Sequence, residues 1–143
     1  MFDLEEYQRW VKEAKNTLES AKSDVENKFF NWACFKCQQS AEFSIKGFLY
    51  GKGLTPFGHS LTKLIKMVEN LGIDISSIVG FCKKLDHFYI PARYPNSYPS
   101  GAPFEYYDAQ IAIEAVEYAQ SVLNFVESLK NEQISKDNEE RAE

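Results

Sequence analysis

Leu4, Tyr7, Val11, Ala14, Leu18, Ala21 and Val25 recur at alternating steps of three and four residues, with mostly charged and polar residues between them. A period near 3.6 places all of them on one side of a helix. A stripe that narrow and six turns long belongs to a helix that buries one face and leaves the rest in water. Asp3 stands where an N-cap belongs, and Glu6 three residues later completes the capping-box spacing.

The same stepping returns along the chain. Phe30, Cys34, Cys37, Ala41, Ile45 and Phe48 predict a second helix from about Phe30 to Tyr50, closed by Gly51 and Gly53. A connector to His59 leads into a short helix, about Ser60 to Leu71, which Gly72 stops, and a fourth runs from about Ser76 to Phe88. A Pro- and Tyr-rich loop follows to about Glu105. The fifth helix, about Tyr106 to Lys130, carries two apolar stripes: Ala109, Ala112, Val116, Ala119, Leu123 and Val126 on one, Ile111, Ala115, Tyr118, Val122, Phe125 and Leu129 on the other. Such a helix is buried on both sides, either as the centre of the bundle or in a contact with a second copy of the chain. The fold class is therefore all-α, an up-and-down bundle of about five helices, expected to form a homodimer. One domain spans 1–130. Residues 131–143, charged and with Ile134 as the only large apolar side chain, are expected to be a disordered tail.

At 143 residues the chain can bury one core without disulfides or metals. Three cysteines, an odd number, argue against a disulfide framework. No apolar run approaches the ~20 residues of a membrane span, and the acidic first residues lack the order of a signal peptide, so a cytoplasmic protein is expected. A net charge of −5 argues against indiscriminate DNA binding, and no general nucleic-acid surface is expected. The charge is unevenly spread, however. From Phe43 to Val68 there is no carboxylate, while Lys46, Lys52, Lys63 and Lys66 are present. From Phe104 onward, ten carboxylates face three basic residues. One end of the molecule should attract anions.

Arg93 is the residue that this charge map singles out. It is one of three arginines and lies on a loop stiffened by Pro91, Pro95, Pro99 and Pro103. A guanidinium is suited to bidentate phosphate recognition. The competing reading ties Arg93 to Asp86, or stacks it on Tyr89 and Tyr94. His59 and Ser60 stand where the third helix begins, and free N–H groups and the helix dipole make that point a ready anion site, with Lys63 on the same short helix. Ser60 as a simple N-cap is the plainer alternative. Glu42 and Lys46 have the favourable order for a helical ion pair; on a surface that pair would be worth about 0.3–0.5 kcal/mol. Lys46 matters because it opens the carboxylate-free stretch. An anion site is therefore expected from Glu42, Lys46, His59, Ser60, Lys63 and Arg93, with Asp86, Tyr89 and Tyr94 in support.

Other patterns lead to less. Cys34 and Cys37 have metal-pair spacing but fall on a core stripe, and the remaining candidates, Cys82, His59 and His87, are scattered; no metal and no cofactor is expected. Trp10 and Trp32 fall at helical positions where aromatics ordinarily serve the core, and no role is assigned to them. Neither a phosphate-binding glycine loop nor a nucleophile–base triad is present.

Three segments, taken in order, resemble a known family. They are Ala33 with Gln38, Gln39, Ala41, Glu42, Lys46 and Leu49; then Gly58-His59-Ser60-Leu61 with Leu64; then Leu85-Asp86 with Tyr89 and Arg93-Tyr94-Pro95. The pattern, over about residues 4 to 129, resembles the HEPN family (higher eukaryotes and prokaryotes nucleotide-binding). The resemblance implies a helical bundle that dimerises. Some members accompany a separately encoded minimal nucleotidyltransferase in a toxin–antitoxin-like pair. Others are metal-independent ribonucleases bearing an arginine and, four to six residues on, a histidine. A further branch is linked to nucleotide binding. Here neither Arg9 nor Arg93 has a histidine at that distance, and His87 precedes Arg93. No catalytic residue is carried over. The resemblance implies the branch paired with nucleotidyltransferases and a nucleotide or polyphosphate ligand. A ribonuclease with a rearranged site, using His59 or His87 as base, and an interaction dimer without ligand are the alternatives.

Overall fold

A computed structural model describes residues 1–142. Five α-helices follow in order: α1 (Leu4–Glu26), α2 (Phe30–Gly51), α3 (Leu61–Glu69), α4 (Val79–Asp86) and α5 (Ala109–Ala142). Two single 3-10 turns, Pro95–Ser97 and Pro103–Tyr106, lie between α4 and α5, and no strand occurs among the described residues. The structure is all-α, as the periodicity predicts.

The centre of the bundle is α2. It packs against α1 on one side and α5 on the other, and also meets α3 and α4. Its buried positions include the predicted stripe, but also Asn31, Gln38, Ser40, Glu42, Ser44 and Lys46. Most of the helix is covered by its neighbours, so the polar residues on those covered sides must find partners inside. Ser40 Oγ, for example, donates to the Ala14 carbonyl at 2.7 Å. Gly47 lets α1 lie close against α2, since a Cβ there would stand 2.8 Å from Trp10 Cβ.

Helix α5 is buried on two sides within the chain itself. One stripe lies toward α1 and α2; on the other, Tyr118 stacks on Phe81 of α4 with centroids 5.1 Å apart. Its double-sided pattern therefore does not call for a second copy. Two boundaries differ from the sequence reading. The helix starts at Ala109, not Tyr106, because Pro103–Tyr106 forms a 3-10 turn and Asp108 then accepts the Ile111 N–H at 2.9 Å. It also does not stop at Lys130: residues 131–142, expected as a disordered tail, continue the helix. Asp137 accepts the Phe2 backbone N–H at 3.0 Å and the Gln133 amide at 3.0 Å, and Ile134 packs on the core. Contacts to the chain's first residues hold a segment whose composition alone reads as disordered. Both α3 and α4 are shorter than their patterns predict. No helix is long and apolar enough to cross a membrane.

The three cysteines are buried in the core. Burial pushes the Cys34 and Cys82 thiols up to about 12, and the Cys37 thiol up as well. Among the described residues no three His, Cys, Asp or Glu side chains gather as metal ligands.

Candidate functional site

Glu42 is the hub. It lies on the middle turns of α2, and the residue is only 2% exposed. Lys46 Nζ, one turn further on, donates to its Oε2 at 3.0 Å. His59 Nδ1 meets the two carboxylate oxygens at 3.1 and 3.2 Å, and Gln39 Nε2 donates to Oε1 at 3.3 Å. Burying a carboxylate is costly unless each lone pair finds a donor, and here three side chains supply them. The His59 backbone is fixed too, because Gln38 Nε2 donates to its carbonyl at 2.8 Å. With Nδ1 engaged and 55% of the side chain exposed, His59 turns its Nε2 edge to solvent.

Tyr89 connects this cluster to Arg93. The His59 imidazole stacks on the Tyr89 ring with centroids 4.8 Å apart and planes 16° off parallel. The Arg93 guanidinium carbon lies 4.7 Å from the same ring, 4.2 Å from Phe35 and 4.9 Å from Tyr94. Arg93 Nε donates to the Tyr89 carbonyl at 2.7 Å. A tight turn from Ile90 to Arg93, closed by Arg93 N–H to the Ile90 carbonyl at 3.0 Å, places the side chain there, and Pro91 suits its second position. Asn31 Nδ2 donates to the Ala92 carbonyl at 3.0 Å and pins the turn to the start of α2. Among the described residues no carboxylate pairs with Arg93, and its two terminal nitrogens have no partner. The expected tie to Asp86 is absent, whereas the expected stacking on Tyr89 and Tyr94 is present.

Asp86 has a different task. Its carboxylate accepts the Leu61 N–H at 2.8 Å, the Thr62 N–H at 3.0 Å and the Thr62 hydroxyl at 2.7 Å, with Ser60 Oγ at 3.4 Å. The start of α3, read from sequence as the place for a ligand's phosphate, is thus filled by a carboxylate of the chain itself. Ser60 acts as N-cap, its Oγ accepting the Lys63 N–H at 3.2 Å. Lys63 is exposed on α3 and does not join the Glu42 cluster.

Beside His59 opens a cleft of about 410 Å³, lined by His59, Ser60, Asp86, His87, Tyr89, Ile90 and Pro91. The chain's two histidines both line it. Glu42, Lys46, His59, Tyr89, Arg93 and Tyr94 are brought together as one connected group. Phe35 and Gln39 join the group without having been expected as site residues, and His87, expected only as an alternative base, lines the cleft. Phe35 and Gln39 were open to discovery: 35, 39, 42 and 46 step by four, three and four along α2, extending the Glu42–Lys46 face by two turns.

Comparison with known proteins agrees with this architecture. The HEPN domain profile matches residues 7–129. A crystal structure of TT1696 from Thermus thermophilus is 34% identical over 85% of this chain and 96% of its own, with a TM-score of 0.82. An archaeal HEPN homologue is 34% identical over 86% of this chain and 96% of its own, with a TM-score of 0.72. An HEPN domain protein of Thermotoga maritima is 29% identical over 86% and 98%, with a TM-score of 0.70. Comparison with curated proteins gave no match. With a family match across most of its length and these structural neighbours, the chain belongs to the HEPN family.

Proposed function

We propose that the chain binds a nucleotide or polyphosphate between Arg93 and His59, and that it works as a homodimeric partner subunit of a separately encoded minimal nucleotidyltransferase. The observation that carries the ligand reading is the state of Arg93. Three rings and one backbone carbonyl hold its guanidinium in place while both terminal nitrogens remain unpaired. A fork held in advance and left open is what bidentate phosphate binding requires, because little side-chain freedom is then lost on binding. The His59 ring, stacked on the same Tyr89 and held by Glu42, adds a polar edge at Nε2 that donates to an anion in the imidazolium form, while Lys46 fixes Glu42. Asp86 sets the start of α3, so the phosphate belongs at Arg93, with Ser60 and Lys63 at the margin. The nucleotidyltransferase and the toxin–antitoxin setting rest on the resemblance to the paired branch and on the missing arginine–histidine spacing.

Calorimetric titration with ATP, GTP and tripolyphosphate tests the ligand. Binding by the wild type, weakened at least tenfold in Arg93→Ala and not restored in Arg93→Lys, is the expected result. No heat from any of the three with folded protein overturns the reading. Copurification with a co-expressed minimal nucleotidyltransferase, and light scattering for the dimer, test the assembly.

One geometry favours ribonuclease activity as a second reading. A buried carboxylate on His59 Nδ1 leaves Nε2 to accept a proton, and His87 shares the cleft as the candidate acid. Incubating RNA with the wild type, His59→Ala and Arg93→Ala decides it: equal background cleavage by all three rejects it.

A further inference from the structure

The two tryptophans of this chain are in unlike states. Trp10 is satisfied: its ring stacks on Tyr50 at 4.9 Å, and its indole N–H donates to Glu6 Oε1 at 3.1 Å. Trp32 is not. It is 44% exposed, its ring meets another aromatic only edge-on, at Phe35, with centroids 6.2 Å apart and planes at 86°, and its N–H has no partner among the described residues. An indole is a large apolar plane with a polar handle, and one left half in water at a helix start contributes little to the fold.

Its position gives it a use. Phe35, against whose ring Trp32 rests, is also the ring over which the Arg93 guanidinium lies at 4.2 Å. Trp32 therefore stands one ring away from the open fork, with Phe35 and Tyr89 between it and His59 in the run of rings. The rings of Trp32, Phe35, Tyr89 and His59 follow one another at centroid spacings of 6.2, 6.1 and 4.8 Å, with Arg93 over the middle pair. An anion held by Arg93 that also carries a flat aromatic ring finds a stacking face at Trp32. An inorganic polyphosphate has nothing to place there.

We propose that Trp32 is a base-stacking subsite that makes the Arg93 site select nucleotides over inorganic polyphosphate. The inference rests on the anion-binding reading of Arg93 and adds the ring that the ligand must carry. Base–aromatic stacking lost to substitution corresponds to a roughly 5- to 150-fold change in affinity, and it is sequence-tolerant, so ATP and GTP should respond alike.

The test pairs calorimetry with intrinsic fluorescence on the full chain. ATP should quench wild-type emission through Trp32, tripolyphosphate should bind without quenching, and in Trp32→Phe the quench should vanish while ATP still binds, because phenylalanine keeps a stacking face. Trp32→Leu should weaken ATP by roughly 5- to 150-fold and leave tripolyphosphate unchanged, whereas Arg93→Ala weakens both. Binding of ATP without any quench, or equal weakening of ATP and tripolyphosphate in Trp32→Leu, overturns the subsite and leaves the Arg93 reading standing. Heat from neither ligand overturns both.

Discussion

Replacing Glu42 by glutamine removes a charge at the centre of the site and keeps its shape. Lys46 would then keep its ammonium with 10% of its side chain exposed and no carboxylate within reach. His59, with 55% of its side chain in water, can turn to solvent and adds little to the loss. Breaking a buried ion pair from one side costs about 3–5 kcal/mol, because the remaining charge is stranded. An exposed helical pair of the same spacing would lose only about 0.3–0.5 kcal/mol. The gap between those figures lets one experiment tell a buried hub from a surface pair. For a domain of this size the larger loss lowers Tm by roughly 10–15 °C. Urea unfolding followed by circular dichroism, at fixed protein concentration and pH 7, measures it. Adding Lys46→Met to Glu42→Gln removes the stranded charge, so the double variant should be more stable than Glu42→Gln alone. A loss below about 1 kcal/mol for Glu42→Gln, or a further loss on adding Lys46→Met, would refute the reasoning.

Three more outcomes follow from the same geometry. Asp86→Ala strips the first N–H groups of α3 of their acceptor and should cost about 2 kcal/mol; faster hydrogen exchange at Leu61 and Thr62 than at the core of α2 would localise the effect. At pH 8 a thiol reagent should label none of Cys34, Cys37 and Cys82 in the folded protein and all three after denaturation, since burial raises each thiol; rapid native labelling, read by mass spectrometry, would contradict their placement in the core. The Phe2 N–H, with further help from Gln133, holds the Asp137 carboxyl below its ordinary 3.8. A depressed folded-state value means that this contact stabilises the fold above the ordinary value and is lost as pH falls through the lower one. Phe2 amide protection should therefore hold at neutral pH and drop in that acidic window, while Asp137→Asn should lack the pH step.

The sequence by itself determined the helices and the one irregular loop. Apolar residues at steps of three and four place their own faces, and prolines exclude helix, whatever else the chain does. The Glu42–Lys46 pair was legible for the same reason, since a four-residue step on a helix is a contact in itself. What periodicity cannot say is which helix ends up inside. The two stripes of α5 read as the mark of a central helix or of a contact with a second copy, yet α2 occupies the centre, and its buried Gln38, Ser40, Glu42 and Lys46 became interior only because α1 and α5 close over them. Partners far apart in the chain were decided by packing alone: His59 on Glu42 across 17 residues, Asp86 on α3 across 24 and 25, and Phe2 on Asp137 across 135. Each of these depends on a distance that no local pattern encodes. Asp86 is the sharpest case. From sequence the start of α3 and Asp86 were separate facts, one an anion site and the other a possible counter-charge for Arg93. The fold joins the two, so α3 is capped internally and Arg93 is left open.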